Sequence, residues 1–311
     1  MHRLRILITG ISGFIGRSLV EEIVDRNLPW NICGIDMKEP IFNDSKYLEL
    51  IDFKSVDIRD ENAVKSYFRN RAFDGVIHLA AVSRVVDAEN NKENCVATNL
   101  NGTRYVVESV AKQQDAWFIL GSSREVYGEQ SVMPVKETAE KKPVNIYGEC
   151  KLEGERIVKR LISRYVILRF SNVYGNSYDI DGRVMPTFVK RALKGEPLFL
   201  EGGTQVIDFT YINDNVDSII KLVELLEDGK LTTEEILVSP GIENKITDVI
   251  AYLEEILGKR LDVVIRKKRN YDVVRCIGDP QHRTEVLGES RFKNLSEGIQ
   301  LYIASLTDCS V

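Results

Sequence analysis

No run of apolar residues in this 311-residue chain approaches the roughly 18 that a membrane span requires. The longest are short, such as Ile6–Ile8 and Trp117–Leu120, so a membrane partner is not expected. A basic excess is missing too. Lys and Arg total 42 against 47 Asp and Glu, a formal charge of −5, which gives no electrostatic footprint for nucleic acid. The five cysteines (Cys33, Cys95, Cys150, Cys276, Cys309) are odd in number and contain no C-x-x-C pair. Neither a disulfide framework nor a structural metal site is expected, and a reducing cytoplasm is the expected compartment. Repeats, low-complexity tracts and linkers rich in Pro, Ser or Gly are absent, and the N-terminus enters a strand-like run without a signal-peptide pattern. With 43% hydrophobic and 29% charged residues, the chain can build a core, and wholesale disorder is excluded.

What is present is an alternation. Leu4–Thr9, Ile32–Asp36, Gly75–Ala81, Trp117–Ser123 and Val166–Phe170 are apolar on both faces, as strands covered on both sides are. Helical stretches at Ile15–Arg26, Glu61–Arg69, Asn99–Lys112 and Tyr147–Ser163 lie between them. This rhythm predicts a doubly wound α/β fold around a parallel sheet. After about residue 172 Gly, Pro, Asp and Asn become frequent, with helices predicted at Asn213–Glu227 and Ile246–Leu257 and a strand at Leu261–Ile265. We therefore expect a dinucleotide-binding domain over residues 1–172. Residues 173–311 are expected to form a smaller, irregular α/β substrate portion, some of whose segments return to the main domain.

The first strand runs into Thr9-Gly10-Ile11-Ser12-Gly13-Phe14-Ile15-Gly16. Gly10, Gly13 and Gly16 permit a tight turn and a close approach to a pyrophosphate, with Phe14 and Ile15 in the first turn of an anion-attracting helix N-terminus. Asp36 ends the second strand 20 residues beyond Gly16, where a carboxylate accepts both ribose hydroxyls of adenosine and repels a 2′-phosphate. NAD is thus the expected cofactor. Asp57 and Ile58 follow a third strand-like run, at an adenine edge. Leu79, Ala80 and Ala81 supply small side chains after the fourth strand, and His78 reads as a hydrogen-bonded core histidine without a chemical role. Tyr147 and Lys151 stand one turn apart on a helix face. A nearby ammonium favours phenolate, making the tyrosine an acid/base near neutral pH. Ser123 ends the fifth strand, where its hydroxyl can hold a reacting oxygen. Cys150, inside that turn, reads as a small packing residue.

Taken together, Thr9–Gly16, Asp57–Asp60, His78–Ala81, Asn99–Thr103, Ser122–Gly128, Tyr147–Lys151, Leu168–Gly175, Gly203–Asp214 and Arg275–Pro280 resemble the extended short-chain dehydrogenase/reductases of the NAD-dependent sugar epimerase/dehydratase family. The resemblance implies that Tyr147 is the acid/base, that Lys151 holds the nicotinamide ribose, and that Ser123 binds the sugar oxygen being oxidised. It places Asn99 in the cofactor pocket and Phe170 beside the nicotinamide. It assigns Ser83, Glu125, Asn172, Arg183 and Arg275 to a nucleotide-sugar substrate, and it implies a homodimer.

Two departures bear on substrate and reaction. Ile207 stands where the family usually has a phosphate-clamping arginine before Asp208, while Arg275 matches a second such arginine. Arg124 stands where similar 4,6-dehydratases carry an acidic residue, while Glu125 is kept. Glu125 therefore reads either as a base or as a carboxylate paired with Arg124 or an amide. The expected activity is a redox-neutral 4-epimerisation through a transient 4-keto sugar. The alternatives are a dehydratase or decarboxylase using Glu125, and a dinucleotide sensor without catalysis.

Overall fold

A computed structural model describes residues 3–267, 273–289 and 291–308 of the chain; Cys309 lies outside them. The chain forms two compact units. The first comprises residues 1–126, 145–169 and 216–236, and the second comprises residues 127–144, 170–215 and 237–311.

The first unit is built on a parallel sheet. Its strands are β1 (Leu4–Thr9), β2 (Trp30–Asp36), β3 (Ile51–Ser55), β4 (Gly75–His78), β5 (Trp117–Ser123), β6 (Tyr165–Phe170) and a seventh at Thr233–Val238. Their order is seventh strand, β6, β5, β4, β1, β2, β3. β1 pairs with β2 through Ile6↔Ile32 and with β4 through Ile8↔Ile77. The side chains of Ile6, Leu7 and Ile8 have no exposed surface, because helices cover both faces of the sheet, as continuously apolar strands require. The order reverses between β1 and β4, the place where such sheets open a crevice at the carboxyl ends of their strands.

The elements follow the apolar pattern with instructive exceptions. β4 was expected to run to Ala81 but stops at His78, because Leu79–Ala81 leave the sheet to lie beside the glycine loop. The helix expected over Asn99–Lys112 is instead a widened π-type turn at Val96–Gly102 followed by an α-helix at Thr103–Val110. The helix carrying Tyr147 spans Ile146–Leu161. The position of the seventh strand, at Thr233–Val238, was not foreseen. Beneath β5 and β6 lies an internal ion pair. Arg169, without exposed surface, donates from Nε and Nη2 to both oxygens of Glu155 at 2.9 and 2.7 Å, and from Nη2 to Glu235 at 2.5 Å. Ser122 Oγ donates to the same Glu155 at 2.6 Å.

The second unit is assembled from small sheets. Phe209–Tyr211 pairs in parallel with Asn172–Tyr174. Val206–Ile207 lies between Asn244–Lys245 and Arg275–Cys276. Leu198–Glu201 pairs with Val263–Arg266, so the strand expected at Leu261–Ile265 starts later. The helices include Val184–Lys194 and Ile246–Leu257. Asp208, without exposed surface, draws this unit together. Its Oδ2 accepts from Gly241 N–H at 3.0 Å, Gly278 N–H at 3.2 Å and the Ser239 hydroxyl, and its Oδ1 accepts from Ile242 N–H at 3.4 Å.

Candidate active site

The glycine loop has the shape that a pyrophosphate cradle needs. Gly10 has φ +74°, and a Cβ there would lie 2.5 Å from Ala80 N. A Cβ on Gly16 would lie 2.5 Å from Gly10 O. Side chains at these positions would fill the cradle and force its walls apart. The helix Phe14–Asp25 that follows has Gly13 as its N-cap, with no side-chain cap and no acidic residue in its first turn. Its dipole and first-turn N–H groups therefore favour an anion. Phe14 is buried and Ile15 half-buried, so at Phe14 a contact to a dinucleotide would come from the backbone.

Asp36 reaches back to this loop. Its Oδ2 accepts from Ser12 N–H at 3.1 Å and its Oδ1 from Met37 N–H at 2.7 Å. Burial raises its pKa, opposed by these backbone bonds. A carboxylate has about four lone-pair sites, so acceptor capacity remains for ribose hydroxyls. Asp57 is clamped by Arg59, with Nη2 2.6 Å from Oδ2. The hydrogen bonds from Arg59 hold its pKa below the usual carboxylate range. Ile58 packs under Gly102, where a Cβ would lie 2.8 Å from the Ile58 side chain. Asn99 brackets one residue, accepting from Val82 N–H at 2.7 Å and donating to Val82 O at 2.9 Å. The residues around Gly10 thus fit a dinucleotide.

Tyr147, Lys151 and Ser123, the residues expected to carry the chemistry, sit on the same unit. Tyr147 is the second residue of its helix and nearly buried. Lys151 lies one turn on. Its Nζ is 5.9 Å from the centre of the Tyr147 ring and donates to Gly121 O, on β5, at 2.7 Å. Burial lowers the Lys151 pKa to about 8. Ser123 Oγ, at the end of β5, accepts from Glu125 N–H at 3.2 Å. Ser83 is half-buried, after the Leu79–Ala81 stretch.

Both oxygens of Glu125 are engaged. Oε1 pairs with Arg124 Nη2 at 3.0 Å, and Oε2 accepts from Asn145 Nδ2 at 2.9 Å. Asn145 is the N-cap of the Tyr147 helix, its Oδ1 accepting from Gly148 N–H at 2.8 Å. Glu89 accepts from Ile146 N–H at 2.9 Å, which lowers its pKa. The sequence reading missed Asn145 and Glu89. An asparagine just before an apolar helical run is an N-cap signal, whereas Glu89 is 57 residues from its partner and carries no local signal.

The remaining assigned residues lie in the second unit. Phe170 is buried. Asn172 donates its N–H to Asp208 O at 3.3 Å, while its buried Nδ2 has no hydrogen-bond partner, a donor suited to a phosphate oxygen. Arg183 immediately precedes the helix Val184–Lys194. Arg275 is half-exposed and pairs with Glu243 at 2.9 Å. Ile207 aligns with Asn244 and Cys276 in its small sheet, and no charge has replaced the family's arginine at that position. No cluster of three or more His, Cys, Asp or Glu suited to a metal occurs among the described residues.

Comparison with known proteins agrees with this geometry. The model of the NAD dependent epimerase/dehydratase family matches residues 6–234. UDP-glucuronic acid decarboxylase 3 of Arabidopsis thaliana is 27% identical over 316 residues, covering 96% of this chain and 87% of that protein. The structure of UDP-glucose 4-epimerase from Thermotoga maritima with UDP-glucose superposes with a TM-score of 0.89 at 27% identity, over 99% of this chain and 100% of that one. UDP-glucuronic acid 4-epimerase from Bacillus cereus, in complex with UDP-glucuronic acid and NAD, superposes with a TM-score of 0.87 at 27% identity, over 98% and 99%.

Proposed function

This chain belongs to the NAD dependent epimerase/dehydratase family, and on that premise we propose that it inverts C4 of a nucleotide sugar, a UDP-sugar being the first to test. NAD, when bound, supplies a hydride acceptor and donor, so the reaction needs no external oxidant. Tyr147 takes the proton from the sugar's 4-hydroxyl and later returns it. Ser123 holds the same oxygen, and the charged form of Lys151 favours phenolate at Tyr147. Asp36 selects NAD over NADP. Asn172, Arg183 and Arg275 are assigned to the nucleotide diphosphate, and Ser83 to the sugar. We read the enzyme as a cytoplasmic homodimer. The free thiols of Cys33, Cys95, Cys150 and Cys276 suit a reducing compartment, and the dimer rests on the family resemblance.

The observation that favours epimerisation over water loss is the state of Glu125. Elimination requires a second proton-transfer group with its own tuned pKa. Here the candidate carboxylate is spent on Arg124 and Asn145, which makes it a brace between β5 and the Tyr147 helix. The test is mass spectrometry of products from a panel of nucleotide sugars. An unchanged mass at a new retention time is expected, and loss of water or carbon dioxide would overturn the reading. Tyr147→Phe should lose roughly 10²–10⁴-fold in turnover while keeping its fold.

A further inference from the structure

Behind the glycine loop, His78 joins two clamps on the segment 79–82. Ala80 is the residue that Gly10 touches. Its N–H donates to Thr9 Oγ1 at 3.3 Å. Thr9 Oγ1 lies 2.7 Å from His78 Nδ1, and His78 Nε2 lies 3.0 Å from Thr103 Oγ1. The Thr103 hydroxyl donates to Asn99 O at 2.8 Å. The side chain of that same Asn99 brackets the backbone N–H and C=O of Val82.

The direction of this chain is fixed by its ends. A backbone N–H can only donate, so Thr9 Oγ1 accepts from Ala80, and among the described residues the acceptor within reach of its own buried hydrogen is His78 Nδ1. A carbonyl can only accept, so Thr103 spends its hydrogen on Asn99 and receives one from His78 Nε2. The imidazole must therefore be neutral, with the proton on Nε2. A second proton, on Nδ1, would leave the buried Thr9 hydrogen without that acceptor. The surroundings agree. His78 is fully buried, the Phe118 ring lies 5.8 Å away, and burial together with the Lys151 charge pushes its pKa down to about 3.

We propose that His78 is a positioning residue for the dinucleotide cradle, a permanently neutral Nε2–H imidazole that ties the Thr9 clamp on Ala80 to the Asn99 clamp on Val82. It touches neither cofactor nor substrate and takes no proton in turnover. It sets how far segment 79–82 stands from Gly10, and so the width of the cofactor crevice. The inference rests on the NAD assignment and is independent of which sugar is used.

The test combines nitrogen-15 NMR of the NAD-free protein with NAD titration by calorimetry. His78, assigned by its loss in His78→Phe, should show a protonated Nε2 and a bare Nδ1, with no titration between about pH 5 and 8. His78→Phe and Thr103→Val should weaken NAD binding about 10–100-fold, the range seen when groups orienting a site's contact residues are removed. A proton on Nδ1, a titration inside that window, or wild-type NAD affinity in both variants would each overturn the proposal. Should His78→Phe fail to fold, the wild-type spectrum and Thr103→Val still decide it. A wild type that binds no NAD would bring down the cofactor assignment, and this inference with it.

Discussion

In the first unit the buried guanidinium of Arg169 meets the carboxylates of Glu155 and Glu235, whereas in the second the buried carboxylate of Asp208 is held by backbone N–H groups and a serine hydroxyl. The first arrangement matches a fixed positive charge with negative ones. The second solvates a charge with dipoles. Both satisfy hydrogen bonds, and in the second burial raises the Asp208 pKa to about 6 even against its donors. Paired charge makes a unit sensitive to losing a partner. Charge solvated by dipoles makes it sensitive to pH.

The largest expected effect breaks the pair. Arg169→Met strands Glu155 in the interior and should cost about 3–5 kcal/mol. That corresponds to a fall in Tm of roughly 10 °C for a unit of this size, read by calorimetry. Replacing Glu155 with Leu in the same chain should recover much of the loss, since apolar groups can take the place of a whole buried pair. If the double variant is as unstable as the single one, the pair is not what holds this region.

The pH experiment is next in size, and its sign differs between the units. Asp208 binds its proton more tightly folded than unfolded, so its contribution is fully present below about pH 4 and is lost as pH rises through about 6. Lys151, with its folded pKa at about 8, behaves oppositely. The unfolded chain binds the proton more tightly, so stability recovers as pH rises from about 8 toward 10. Urea midpoints across both windows check this. Asp208→Asn should flatten the acid limb, and Lys151→Met the alkaline one. An unchanged acid limb in Asp208→Asn would show that the difference in charge handling does not matter to stability.

The smallest effect is expected at Asn172. Its buried Nδ2 makes no hydrogen bond, so Asn172→Leu should move stability by less than about 1 kcal/mol. The affinity for a nucleoside diphosphate should nonetheless fall. A large loss of stability with unchanged affinity would reverse the contrast, making Asn172 a structural residue.

How much of this was legible depended on the distance over which each signal acts. The strands β1 and β5 were readable because burial on both faces leaves an uninterrupted apolar run. The glycine loop, Asp36, Tyr147 and Lys151 were readable as candidates because each pattern lies within one turn or one strand end. The widened turn at Val96–Gly102 was not, since its composition is that of an ordinary helix. Arg169 was hidden inside an apolar strand, and nothing near it announces Glu155. His78 was readable as a hydrogen-bonded core histidine, but its partners and those of Asp208 were illegible for a related reason. They lie 31 to 70 residues away for Asp208, and 69 and 25 residues away for His78, so only the folded chain shows what the two residues hold.

The position of the seventh strand has a consequence in time. β6 is flanked by β5 on one side and on the other by Thr233–Val238, a strand made much later. At about 5–20 residues per second, the roughly 60 residues between them take about 3–12 s to synthesise. Throughout that interval the open edge of β6, carrying Val166, Ile167 and Leu168, has no strand to close it, and Arg169 waits for Glu235. An unpaired apolar edge is a template for pairing with other chains. The nascent enzyme should therefore be most prone to aggregation, and most dependent on chaperones, after β6 has emerged from the ribosome and before Val238 has.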